Sequence, residues 1–178
     1  MSDAAFPLIQ TLTAEEAHAH AAALGAVLAD CVAGGASVNF MHPFSAAQGE
    51  AFYREVADSV AAGKTVLLAA FLDGRIVGTV QVQFVLKPNQ LHRVEIAKML
   101  VHRSARRRGI GAALMRAAEA ESFKAGRWLA VLDTATGGEA EQLYRKLGWR
   151  ECGAIPDYAL WPAGGPCGAT IFYKRLAR

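Results

Sequence analysis

The sequence predicts a single α/β (α+β) domain built on a mixed, mostly antiparallel twisted sheet of about seven strands, with helices on both faces. Three observations predict it. Hydrophobic periodicity is helical up to residue 62, two-residue from 65 to 102, and then alternates between the two. Asp73-Gly74, between two apolar runs, is a hairpin signal that makes the central run antiparallel. A strand ending near residue 102 then passes through a basic turn into a helix opened by Gly109 and Gly111. A length of 178 residues corresponds to one domain, 1–178, and no linker or internal repeat divides it.

The elements follow in order. Residues 6–11 are short and apolar and form a first strand. Thr13-Ala14-Glu15-Glu16 is a capping box, with Thr13 at the cap and Glu16 reaching back. Ala17, Ala21, Leu24, Leu28 and Cys31 then recur at helical spacing until Gly34-Gly35 ends the helix. Residues 36–43 form a loop, and Ser45-Ala46-Ala47-Gln48 is a second capping box. It opens a helix with Phe52, Val56 and Val60 on its apolar face. Residues 65–72 form an apolar strand. Residues 75–86 alternate, with Ile76, Gly78, Val80, Val82, Phe84 and Leu86 on one face and Gln81 and Gln83 on the other. After a turn at 87–90, a strand over 91–102 puts Glu95, Ala97, Met99 and Val101 on one face. A helix at 110–125, a strand at 128–132, a helix at 139–147 and a strand at 149–155 come next. A Pro- and Gly-rich loop over 156–168 leads to a last strand at 170–176.

Composition narrows the class. Hydrophobic residues make up 53% and charged residues 20%, which excludes a disordered chain. The first seven residues lack a basic stretch followed by an apolar core, so no secretory signal is expected. No apolar run approaches the ~18 residues of a membrane span. Cys31, Cys152 and Cys167 are widely spaced and form no Cys-x-x-Cys pair. They are expected to be buried, reduced thiols of a cytoplasmic protein, with no metal bound.

The segment that carries most chemistry is Val101-His102-Arg103-Ser104-Ala105-Arg106-Arg107-Arg108-Gly109-Ile110-Gly111-Ala112. It reads as an anion site. The first N–H groups of a helix lack intrahelical partners, and the helix dipole adds partial positive charge there. Glycines at 109 and 111 let a phosphate approach the backbone, and arginines beside them supply charge-assisted hydrogen bonds. A Walker A loop would end in Gly-Lys-Ser/Thr, which is absent. A dinucleotide fingerprint needs a third glycine where Leu114 stands. Arg106-Arg107-Arg108-Gly109-Ile110-Gly111 instead fits Arg/Gln-x-x-Gly-x-Gly/Ala between a strand and a helix.

On this motif and the element order around it, the chain resembles the GCN5-related N-acetyltransferase (GNAT) family. Within that family it is most similar to the tabtoxin-resistance acetyltransferases. Gly34-Gly35-Ala36-Ser37-Val38, Lys87-Pro88-Asn89, Leu132-Asp133-Thr134, Ala140-Glu141 leading to Tyr144, and Pro156 with Tyr158 carry that likeness. The resemblance implies the GNAT fold, acetyl-CoA as cosubstrate and the amine of a small molecule as acceptor. Tabtoxinine-β-lactam-like and other amino-acid-like toxins or antibiotics fall in that acceptor class. It also implies a monomer or homodimer with no nucleic-acid or membrane partner. Backbone groups of Met99, Leu100 and Val101 would pair with the pantetheine arm. Arg106, Arg107, Arg108, Gly109, Gly111 and Ala112 would hold the pyrophosphate. Gly137 stands where many members have an asparagine, so that side chain's contact is missing or replaced.

Acetyl transfer to an amine needs a proton acceptor, since an alkyl ammonium such as lysine has a pKa of ~10.4. It also needs a donor for the tetrahedral oxyanion, expected from a backbone N–H near Met99 or Leu100, and a proton for the departing thiolate. Glu95 and Asp133 are the candidates to bind the substrate ammonium and accept its proton. Tyr144, in Leu143-Tyr144-Arg145-Lys146-Leu147-Gly148-Trp149, is the candidate acid. Structural readings stand beside these: Glu95 facing solvent, Asp133 capping a turn, Tyr144 filling the core. His92 and His102 read as structural. Asn39, Phe40, Met41 and His42 are candidates to line the acceptor pocket. A competing class is a non-catalytic acetyl-CoA, nucleotide or nucleic-acid-binding module using the basic loop 103–108, for which stacking aromatics are lacking. The net charge of +3 sharpens the picture, because Arg103, Arg106, Arg107 and Arg108 supply more than all of it.

Overall fold

The computed structural model describes residues 7–177. The first strand, Leu8–Leu12 (β1), begins two residues later than expected, and Phe6 lies outside the described residues. The Thr13–Glu16 capping box forms with both reciprocal bonds and starts Ala14–Ala19 (α1). The helical period continues past it, yet the helix breaks at His20 (φ −96°, ψ 5°) before Ala21–Ala33 (α2). The His20 ring packs edge-on against Phe71 at that point, a tertiary contact that local periodicity does not encode. The Ser45–Gln48 box starts Ala46–Ala61 (α3).

Three antiparallel strands follow: Thr65–Leu72 (β2), Arg75–Phe84 (β3) and Arg93–Val101 (β4). Asp73 and Gly74 join the first two with φ of 51° and 75°, as a primed hairpin turn requires. Leu86, expected on the apolar face of the second strand, lies beyond its end and is 55% exposed. Ile110–Lys124 (α4), Leu129–Ala135 (β5), Glu139–Lys146 (α5), Arg150–Leu160 (β6) and Pro166–Arg175 (β7) complete the chain. The seven strands form one sheet in the order β1-β2-β3-β4-β5-β7-β6. Among the described residues only β4 and β5 run parallel.

The sheet carries a core on each face. On one side α4 and α5 cover Val80, Val82, Val94, Ile96, Ala130, Leu132 and Phe172. On the other, α1, α2 and α3 cover Leu67, Ala69 and Leu100. α2 and α3 cross backbone to backbone, because a Cβ at Gly25 would run into Gly49 and Glu50.

Three expectations are corrected. β4 contains a bulge: Thr79 pairs with Leu100 but Gln81 with Ala97, and Lys98 takes φ 50°. The extra residue reverses the side-chain alternation. Met99 and Val101 therefore pack with Val94 and Ile96 on the α4 side, not on the face of Glu95. Asp133 does not end its strand; it pairs with Ile171 inside β5, which runs on to Ala135. Residues 156–160 are not loop. β6 continues through Pro156 by a bulge between Ile155 and Ala159, with Asp157 at φ 52°. An edge strand tolerates the proline, whose missing N–H costs no ladder bond.

Candidate active site

The basic turn is built as a cradle of backbone donors. Arg107 and Gly109 both take left-handed conformations (φ 63° and 75°), which turn the chain into the N-terminus of α4. No side chain caps this helix. The N–H of Ala113 makes the first intrahelical bond, to the Gly109 carbonyl at 3.0 Å, so the N–H groups of Ile110, Gly111 and Ala112 have no acceptor within the helix. The two glycines have different tasks. A Cβ at Gly109 would meet nothing within 4 Å, and its requirement is the positive φ. A Cβ at Gly111 would press on the Leu143 side chain at 3.1 Å and only touch the Met99 sulfur at 3.5 Å, so Gly111 allows close packing of α4 against α5.

The arginines divide likewise. Arg103 is held by Asp30 of α2: its Nε and Nη2 lie 2.9 Å from Oδ1, and its backbone N–H donates to Oδ2 at 2.8 Å. Burial pushes the Asp30 carboxyl up, but the Arg103 hydrogen bonds outweigh it and hold it below the usual range. His102 stands 3.5 Å from the same carboxylate and bonds Ser104, a structural role. Arg106 donates through Nε to the Val101 carbonyl at 3.2 Å. Arg107 and Arg108 are exposed, with Glu139 3.8 Å from Arg107. Three arginines, not four, are thus left to the cradle.

Beside the cradle two strands part. β4 and β5 pair only at Arg93–Leu129, Val94–Ala130 and Glu95–Val131. Beyond that they part, β5 following β7 while β4 follows β3 to Val101. The β5-facing backbone edge of Met99, Leu100 and Val101 is left without a strand partner, beside α4's N-terminus. Ala130 and Leu132 fill the α4 side, so Val131 and Asp133 point to the opposite face, which Glu95 shares. Glu95 accepts from Arg93 at 3.0 Å and is half exposed. Among the described residues the Asp133 carboxylate has no ion pair or hydrogen bond.

Tyr144 enters from α5. It is 5% exposed, between Trp149 and Phe172 at centroid distances of 6.1 and 5.8 Å. Burial, reinforced by the Asp133 charge, raises its pKa well above the ordinary phenol value, so the hydroxyl keeps its proton. Core packing and proximity to Asp133 hold together for this residue.

Sequence reasoning missed Lys98. It occupies the bulge, and its ammonium lies 6.0 Å from the Phe40 ring centre and 5.9 Å from that of Phe52. A left-handed lysine within a strand leaves no pattern in the sequence. Glu141 was also unassigned. It is buried and accepts from the Thr170 hydroxyl (2.6 Å), the Gly137 N–H (3.1 Å) and Arg145 (3.1 Å), fixing the turn between β5 and α5. Gly137, where an asparagine was expected, therefore contributes its backbone. Two segments distant in the chain meet: His42 N–H donates to the Pro162 carbonyl at 2.9 Å and the Ser37 hydroxyl to the Leu160 carbonyl at 3.1 Å. Phe40 faces this region, while Met41 is 45% exposed. His92 stacks on Trp128 at 4.4 Å, as a structural histidine would. Cys31 and Cys167 are buried and Cys152 is exposed, correcting the expectation for that thiol, which sits on the solvent-facing edge strand. No group of three or more metal-ligating side chains and no helix able to cross a membrane occurs among the described residues.

Known proteins share this architecture. An N-acetyltransferase from Staphylococcus aureus Mu50 superposes with a TM-score of 0.80 at 16% identity, covering 97% of this chain and 99% of that one. A ribosomal-protein-alanine N-acetyltransferase from Brucella melitensis gives 0.78 at 22% identity, over 95% and 99%. A phosphinothricin acetyltransferase from Sinorhizobium meliloti, in complex with AcCoA, gives 0.78 at 16% identity, over 96% and 89%. At these identities the likeness establishes the fold. The model of the acetyltransferase (GNAT) family matches residues 38–149, and the chain belongs to that family.

Proposed function

We propose that the protein transfers the acetyl group of acetyl-CoA to the amine of a small molecule, in the cleft between β4 and β5. The observation that carries this reading is the parting of these strands beside an uncapped helix N-terminus. Anionic pyrophosphate suits the N–H groups of Gly109, Gly111 and Ala112 with Arg106, Arg107 and Arg108 around them. The pantetheine arm, an extended amide chain, suits the edge of Met99, Leu100 and Val101 that no strand pairs among the described residues, where only the Val101 carbonyl is engaged, by Arg106 and Cys31.

The chemistry follows from the side chains around the gap. Asp133, unpaired, takes a proton from the acceptor ammonium, and Glu95 on the same face adds negative charge that favours the cation's approach. The freed nitrogen attacks the thioester carbonyl, forming the C–N bond. A backbone N–H near Met99 or Leu100 holds the oxyanion. The C–S bond breaks, the nitrogen sheds its second proton to solvent as the amide forms, and Tyr144, kept protonated by burial and by Asp133, gives its proton to the thiolate. The proton on Asp133 returns through solvent to the tyrosine oxygen.

A small acceptor is supported by the loop contacts from Ser37 and His42 to Leu160 and Pro162, which tie down the segment on either side of Phe40. Amino-acid-like toxins and antibiotics of the tabtoxin type are within this size and charge class. The competing nucleic-acid reading is disfavoured because Arg103 is committed to Asp30 and no aromatic platform adjoins the loop. The test is thiol release from acetyl-CoA across a panel of small amines, with acetyl-CoA and duplex DNA compared as stabilisers in thermal melts. Amine-dependent thiol release is expected. Stabilisation by DNA and none by acetyl-CoA would overturn the reading.

A further inference from the structure

Lys98 is an odd residue to find in a cleft that receives an ammonium. It shares the face of Glu95 and Asp133, because the bulge at 98 turns it toward Phe40 and Phe52 of the α2–α3 side. Its Nζ has no carboxylate within ion-pairing distance among the described residues. Two aromatic faces near 6 Å are a weak substitute for one. A second donor nearby is also unmatched: Gln81, cross-strand from Ala97, is 1% exposed and its Nε2 has no acceptor. Burial lowers the Lys98 pKa, and the Asp133 charge opposes that shift.

A simple monoamine would meet two carboxylates and one like charge here. A zwitterion would meet an opposite charge at each end. We propose that Lys98 determines acceptor specificity, its ammonium binding the carboxylate, or an equivalent oxyanion, of an amino-acid-like acceptor whose amine faces Asp133. The phenyl rings of Phe40 and Phe52 hold the lysine head in place and exclude water around the ion pair. The assignment rests on the acetyl-transfer reading above and adds the chemical class of the acceptor to it.

The test compares α-amino acids with their carboxamides, which keep the amine and side chain and lose the negative charge. Wild type is expected to show higher kcat/KM for the acids. Lys98→Met and Lys98→Gln should lose roughly 10–100-fold on the acids and little on the carboxamides. Lys98→Arg should retain the preference. Equal losses on acids and carboxamides, or a wild-type preference for the carboxamides, would overturn the role of Lys98 while leaving acetyl transfer standing. Turnover of no amine of any class would overturn the acetyl-transfer reading and this assignment with it. Melting temperatures of the variants separate binding from folding.

Discussion

Glu141 and Asp133 are two carboxylates on either side of one turn, with opposite fates. Glu141 is enclosed by Thr170, the Gly137 N–H and Arg145, in that order of effect, and these bonds lower its pKa despite burial. Glu141→Gln leaves donors facing donors and should cost about 1.5–3 kcal/mol at pH 7, read from urea denaturation. The sign of the pH dependence follows. A depressed native pKa contributes stability above the unfolded carboxyl's pKa of about 4.3, and it is lost as pH falls through the native value. The gap between wild type and variant should therefore narrow in acid; equal stability at pH 7 would remove Glu141 from this role. Asp133, without such partners, is left for the cleft. Residue identity alone does not separate the two, because what distinguishes them is who surrounds them.

At the scale of elements, the crossing of α2 and α3 is the most exacting contact. Gly25 and Gly49 touch through their backbones, and the loop these helices carry holds Ser37, Phe40 and His42. Gly25→Ala should wedge the helices apart at a cost of about 1–3 kcal/mol. In a protein of this size that is about 2–4 °C of Tm per kcal/mol, and an unchanged Tm would show the crossing to be looser than described. Elements with a local cause were legible in the sequence: two capping boxes and the Asp73-Gly74 turn formed as read. Elements decided by distant partners were not. β6 crosses Pro156 because β7 pairs with it on one side only, and β5 runs past Asp133 because β7 continues alongside. The Lys98 bulge depends on the offset between β3 and β4, so the faces of Met99 and Val101 were misread.

Over the whole molecule, one sheet with helices on both faces brings three separately built parts together. A cradle of backbone donors is anchored to α2 through Asp30 and Arg103. A gap opens where β4 leaves β5. Segments more than a hundred residues apart in the chain, on either side of Phe40, are tied to each other. The cradle was legible because its motif is contiguous, and charge concentration marked it. Glu95, Asp133 and Tyr144 could be singled out from the sequence by residue type and position, whereas Lys98 was hidden by backbone geometry. In the proposed reaction this gap performs acetyl transfer with Tyr144 as the proton donor. Steady-state kinetics of Tyr144→Phe with acetyl-CoA and an accepted amine tests it most directly. A kcat lower by about 100-fold or more is expected, with KM for acetyl-CoA and Tm near those of wild type. An unchanged kcat in a folded variant would contradict it.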